Sequence, residues 1–272
     1  MKIDTNTTSL DAQKNLNAST AALQKTLAAL ASGRRINSAG DDAAGLAVAT
    51  QLSAQAQSFT VAERNANDGV SMLQTADGAL ATQTDLVSRM RELAMQSGNG
   101  SLSADDRAAI QQEQTQLSAE VDRVAGTANY NGNNLLASGG TSVSFQVGAS
   151  GSASDAISVK FGDSTLQSLG LTGVNLSTPS GATASLSAID SALATLSGSR
   201  ASIGASQSRL ESSIQTAQAS SQNLVAASSR IMDADMAATT SAMIGDQIRT
   251  QAGVAVLAQA NKLPSTMLHL LG

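Results

Sequence analysis

The sequence predicts a mainly α protein, a long antiparallel coiled-coil helical rod with a small β-hairpin at mid-chain. Three observations carry this. Two stretches each place an apolar residue at every seventh position, the two stretches are equal in length, and the clearest period-two alternation lies between them. The first series is Leu52, Phe59, Ala66, Leu73, Leu80, Val87 and Ala94; the second is Ile189, Leu196, Ile203, Leu210, Ala217, Leu224 and Ile231. A helix turns once per about 3.6 residues, so a spacing of seven keeps a narrow seam on one face. As one helix, the stretch from Leu52 to Ala94 would be roughly 65 Å long at ~1.5 Å rise per residue. A seam of that length needs a partner of equal length. The second series supplies it within the same chain, flanked by the small residues Ala192, Ser199, Ser206, Ser213, Ser220 and Ala227. Gly69 and Gly78 are expected to weaken the first helix locally.

Composition narrows the class of function. Aromatic residues are 1% of the 272, with no Trp, one Tyr and three Phe, so a thick globular core would lack its usual fillers. Net charge is −5 with no basic patch, which argues against nucleic acid as a partner. The absence of cysteine excludes disulfides and thiolate metal sites and leaves the compartment open. No run of about eighteen apolar residues occurs, so membrane insertion is not expected. Met1-Lys2-Ile3-Asp4 is not a charged segment leading into an apolar run, so no cleaved secretory signal is expected.

Along the chain, residues 1–32 carry Leu16, Leu23 and Leu30 at spacing seven among many alanines, an amphipathic helix with a broad face of small residues. Gly33, Gly40 and Gly45 then break the pattern, and Ser38 and Asp41 have capping-box spacing before a new helix. Ser97-Gly98-Asn99-Gly100 ends the first long helix. Ser103 and Asp106 repeat the capping spacing, and Ile110, Leu117 and Val124 follow at spacing seven as a third, shorter helix. Asn129 to Asn134 forms a turn cluster tolerant of left-handed backbone. Val143, Phe145 and Val147, then Ile157, Val159 and Phe161, alternate with polar residues around a Gly/Ser-rich connection, which reads as a hairpin. Ser150, in that connection, is expected to tolerate a carboxylate. Pro179 and Gly181 read as a final loop before the second long helix. The last segment, from Asp233, is apolar on several faces, and Pro264 should kink or restart its helix.

Catalytic chemistry finds little here. The single histidine, His269, sits among leucines near the end and cannot form a metal-binding pair. Asp41-Asp42 and Asp105-Asp106 are adjacent carboxylates, which point in different directions on a helix and suit helix starts. No phosphate-binding loop, nucleophile elbow or zinc-protease motif occurs. No catalytic, cofactor-binding or metal-ligating residues are assigned, and an enzyme is not expected.

Residues 30–49 read LASGRRINSAGDDAAGLAVA, followed by SRMRELAMQSGNG (88–100), VDRVAGTANYNGNNLL (121–136), GSRASIGASQSRLESSI (198–214), SSRIMDADMA (228–237) and QAGVAVLAQANKLP (251–264). This ordered set closely resembles bacterial flagellins over nearly everything but residues 137–185. The resemblance implies a structural subunit that self-assembles into the flagellar filament for motility, in a short form lacking large outer domains. Residues 1–44 and 232–272 would then be paired terminal helices forming an inner tube. Residues 45–136 and 186–231 would be the rod helices of an outer tube, with 137–185 a reduced variable region of hairpin and loops. It also implies an extracellular location reached through the flagellum's own channel, unfolded and uncleaved, with an export chaperone holding the C-terminal helices and with cap and junction proteins as partners. In flagellins that alert Toll-like receptor 5 the receptor grips the R-x-R-E-L-A segment and a glutamate on the next helix. In this chain those residues are Arg89, Leu93 and Glu113, the first two four apart on one expected face. The chain departs from the family pattern after Met236, where an acidic residue is often found, and in its last eight residues. The alternatives are a hook–filament junction protein of the same superfamily, disfavoured by the DADMA and QANKLP stretches, and a secreted coiled-coil adhesin, for which residues 137–185 offer no evident binding domain.

Overall fold

The computed structural model describes residues 6–137 and 139–271, with side chains as far as Leu263. Its helices are α1 (Thr7–Ser32), α2 (Ala43–Ser97), α3 (Ala104–Thr127), α4 (Pro179–Met232) and α5 (Met236–Leu271), with strands β1 (Asn129–Tyr130), β2 (Asn133–Asn134), β3 (Ser142–Gln146) and β4 (Ala156–Lys160). They form two compact units: a central one, residues 56–221, and a terminal one made by the two ends of the chain, up to residue 55 and from residue 222.

In the central unit α2 and α4 run antiparallel. Successive contacts join Ala56 to Ser221, Glu63 to Gln218, Asp77 to Arg200 and Arg91 to Asp190. The seam residues Leu73, Leu80, Val87, Ile189, Leu196, Ile203 and Leu210 are buried in one continuous core, and Phe59 is half-buried. A second row three residues further on, Gly69, Ala76, Gln83, Met90 and Ser97, is buried as well. Together the rows make the 3–4 alternation of a coiled-coil seam. Gly69 is a point of close approach and not a weak spot: a Cβ there would lie 3.0 Å from Leu210 Cδ1 and 3.1 Å from Phe145 Cδ1.

The third helix opens with the capping box its spacing predicts, Ser103 and Asp106 each serving the other's backbone N–H. Arg107 is buried; its Nε donates to the Ser97 carbonyl (3.1 Å) and its Nη2 to that of Asn99 (2.8 Å), closing the end of α2 with a cation where the helix dipole is negative. Gln83 Nε2 donates to the carbonyls of Val121 (3.0 Å) and Ser164 (3.1 Å), bolting α2 to α3 and to the segment after β4. Positive φ at Asn131 (50°) and Gly132 (82°) gives β1–β2 a mirror-image two-residue turn, which matches the right-handed strand twist.

The hairpin pairs as the alternation predicts, Val143 opposite Val159 and Phe145 opposite Ile157. Phe145, Ile157, Val159 and Phe161 are buried, and Asn65 Nδ2 on α2 holds the Gln146 carbonyl at 3.1 Å. Ser150 is not a free loop residue, because its N–H and hydroxyl both donate to the Asp155 carboxylate; a carboxylate placed there would face Asp155. The segment 162–178, without periodicity in the sequence, buries Leu169, Leu171 and Leu176. Pro179 and Gly181 lie inside α4 and not in a loop before it. Pro179 takes the first helical position, where its missing N–H costs nothing, and Thr178 Oγ1 caps by accepting from Gly181 N (3.1 Å).

The terminal unit pairs α1 with α5. Asn6 lies against Ala260, Ser9 against Asn261 and Leu16 against Gly253, an antiparallel arrangement. Gly33 ends α1 in the left-handed conformation (φ 69°). The chain then pairs briefly with the α4–α5 junction: Arg34 bridges Asp233, Arg35 N donates to the Met232 carbonyl, and Ala234 N to that of Gly33 (3.0 Å). Ser38 and Asp41 do not form the helix cap their spacing predicts. The Asp41 carboxylate instead gathers Lys25 (2.8 Å), the N–H groups of Asn37 and Ser38 and the Ser38 hydroxyl, while Asp42 caps α2 by accepting from Gly45 N (2.8 Å). The bond from Lys25, helped by those two N–H groups, holds the Asp41 pKa down to about 2. Its contribution to stability is therefore present above the ordinary carboxylate range and is lost as pH falls from about 4 toward 2. Leu52, Leu224 and Ile231 are half-buried in this unit.

Pro264 neither ends nor restarts α5, which continues to Leu271. The carbonyl Pro264 cannot serve is that of Ala260, which accepts instead from Asn6 Nδ2 at 2.9 Å. The side chains of the last residues, His269 among them, lie outside those described.

Candidate interaction surfaces

The terminal unit buries little of its own apolar surface. Leu10, Leu27, Ile244, Ile248, Val254 and Val256 are between 46% and 60% exposed, whereas Ala12 and Ala260 are the buried apolar residues described on α1 and α5. These helices carry apolar residues on several faces, and each covers only one face of its partner. Six half-exposed aliphatic side chains on two paired helices are far more than scattered surface residues. A groove of about 440 Å³ between α1 and α5 is floored by alanines, including Ala22, Ala29, Ala238 and Ala242. Its charges are already engaged: Lys25 with Asp41, Arg35 with the Ile231 carbonyl, Asp235 with the first N–H groups of α5 and Asp246 with Arg249. What remains is a small-residue surface suited to close approach by another helix.

A second surface lies on the central unit. Arg89 on α2 reaches across to α3, its Nε and Nη2 donating to Glu113 Oε1 at 3.0 and 2.9 Å, with Glu92 at 2.9 Å on the other side. These carboxylates hold its guanidinium above the ordinary arginine range; Arg89 and Glu113 are about half exposed and Glu92 more so. Leu93 does not share that exposed face. It is 1% exposed and belongs to the central core, while Arg89, one turn earlier, extends to the carboxylate of Glu113 on α3. The arrangement brings Arg89 and Glu113 into one exposed ion pair and leaves Leu93 out. Glu92 completes that cluster; its place three residues from Arg89 on one helix was a legible signal.

Among the described residues no helix is long and apolar enough to cross a membrane. Comparison with known proteins is consistent along the whole chain. The family model for the bacterial flagellin N-terminal helical region matches residues 3–141, and that for the C-terminal helical region matches residues 186–271. The flagellar filament 30.7 kDa core protein of Treponema maltophilum is 38% identical, with all of both chains covered. A flagellin of Halalkalibacterium halodurans is also 38% identical over the whole of both chains. The crystal structure of Bacillus cereus flagellin superposes with a TM-score of 0.52 at 31% identity, covering 57% of this chain and 88% of that one. With family models over residues 3–141 and 186–271 and relatives aligned over its whole length, the chain belongs to the bacterial flagellin family, the structural subunits of the flagellar filament.

Proposed function

We propose that copies of this flagellin polymerise through the exposed apolar faces of α1 and α5, which form the inner part of the extracellular filament. The observation carrying this reading is the set of six exposed aliphatic residues on a terminal pair that is too thin to bury them. On this reading residues 1–44 and 232–272 make the inner tube, residues 45–136 and 186–231 the outer tube, and 137–185 a reduced variable region. A chain lacking residues 1–42 and 236–272 keeps the central core and loses these faces. It should melt cooperatively and form no filaments under conditions where the full chain does; normal filaments from the trimmed chain, seen by electron microscopy, would overturn the reading.

Export follows from the same surface. Residues such as Ile244, Ile248, Val254 and Val256 need cover before assembly. We assign that role to a cytoplasmic export chaperone on the C-terminal helices, with passage through the flagellum's own channel and assembly under the cap onto the junction proteins. The intact mass of filament protein should correspond to a chain beginning at Met1 or Lys2, and a larger N-terminal loss would contradict uncleaved export.

Recognition by Toll-like receptor 5 is a further proposal, resting on family resemblance and on the exposed Arg89–Glu113 pair. The ion pair itself adds little to stability, since exposed pairs are typically worth under about 1 kcal/mol. Arg89→Ala and Glu113→Ala should therefore leave the melting temperature nearly unchanged while lowering reporter-cell signalling by monomer about tenfold each. Equal signalling by wild type and both variants removes the site. Leu93→Ala is not an equivalent probe, because it opens a cavity in the core.

A further inference from the structure

We propose that Asn6 is a positioning residue that sets the register of α1 against α5 by supplying the donor that Pro264 lacks. In an α-helix the N–H of residue 264 would serve the carbonyl of residue 260, and proline has no N–H. Ala260 is buried, so its carbonyl has little access to water, and an unmatched buried acceptor is costly. Asn6 Nδ2 donates to it at 2.9 Å across 254 residues of sequence. The same amide uses its oxygen on its own helix, accepting from Ser9 N (3.1 Å) and from the Thr8 hydroxyl (2.6 Å) as the N-cap of α1. One side chain thus closes the start of α1 and the gap in α5 together.

The pairing specifies register because the acceptor is unique within α5 before its last turns. The carbonyls of the preceding residues are taken by N–H groups four residues on, and Pro264 is the only proline in the helix. A slip by one turn would bring Asn6 to a carbonyl already engaged. Two neighbours agree with the same alignment: Ser9 Oγ donates to Asn261 Oδ1 at 2.7 Å, and Gly253 leaves room for Leu16, whose Cδ1 would lie 3.1 Å from a Cβ there. Helices with broad faces of small apolar residues slide easily against one another, and a single polar match of this kind selects one position.

The test is a double-mutant cycle in the full-length chain, resting on the filament reading above for its first measurement. Asn6→Ser keeps an N-cap but cannot reach Ala260, and Pro264→Ala restores the missing N–H. Asn6→Ser should raise the critical concentration for polymerisation about tenfold in the natural background and less than about twofold in the Pro264→Ala background. An equal cost in both backgrounds overturns the proposal. If the unaltered chain forms no filament, the filament reading fails by itself, and the cycle is read from amide hydrogen exchange over residues 255–263. Faster exchange in Asn6→Ser that is reversed by Pro264→Ala supports the pin; exchange indifferent to Pro264→Ala refutes it.

Discussion

Leu80→Asp should cost the central unit about 4 kcal/mol and lower its melting temperature by about 10 °C or more. Leu80 is 1% exposed in the α2 seam, and Leu210, fully buried on α4, should behave alike. Two terms act together. The aliphatic side chain gives up its buried contacts, and a carboxylate replaces it within an apolar core. Gln83, three residues on in the second buried row, does not help, because its amide hydrogens are committed to Val121 and Ser164, and the Thr84 hydroxyl is committed to the Leu80 carbonyl. The same change at Gln74, exposed on the same helix, should cost no more than a few tenths of a kcal/mol. A melt by circular dichroism of full-length monomer separates the cases. Equal melting for Leu80→Asp and Gln74→Asp would mean that the seam faces solvent.

Gly69→Val and Gly78→Ala, nine residues apart on α2, should move stability in opposite directions. At Gly69 a Cβ meets Leu210 and both Phe145 Cδ1 and Cε1 between 3.0 and 3.2 Å, and valine adds two methyls at that junction. Overpacking of this kind costs about 1–3 kcal/mol, more than the helix-propensity gain of under about 1 kcal/mol from removing a glycine. Nothing lies within 4 Å of a Cβ at Gly78, so there the propensity gain stands alone and Gly78→Ala should stabilise by up to about 1 kcal/mol. Thermal or urea unfolding of the two variants checks both signs. A stabilising Gly69→Val would show that the hairpin can move off α2.

The long helices and the hairpin were legible because their signals are periodic. Seven-residue spacing named the seam, and alternation of Val143, Phe145, Ile157 and Val159 named the strand pair and its facing residues. The terminal pairing came from family resemblance. Positions that depend on a partner distant in sequence were not legible. Gly69 looks like a defect until Leu210 and Phe145 are beside it. Nothing in the sequence singles out Gln83, whose role appears only where the carbonyls of Val121 and Ser164 converge on it. Leu169, Leu171 and Leu176 lie in a stretch without period, and only the core they complete gives them a role. Pro264 looks like a break because its compensating donor is at the opposite end of the chain. For the interaction surfaces, family resemblance brought Arg89, Leu93 and Glu113 to notice, and the i,i+4 interval put Leu93 on the face of Arg89; its burial in the central core is not encoded in that interval.

The division into a contiguous central unit and a terminal unit built from both ends has a consequence for the order in which the chain can fold. Residues 56–221 include every segment the central unit needs. The terminal unit must join residues 254 apart, at a loop-closure cost of about 5 kcal/mol by simple chain statistics. Prior zipping of α2 on α4 relieves only about 1 kcal/mol of that. The stronger constraint is timing. Whichever end leads as a chain emerges from a ribosome or a narrow conduit, the central unit can complete itself while the other end is still inside. The α1–α5 pair cannot close until the last residues are free, so its formation marks the arrival of the entire polypeptide.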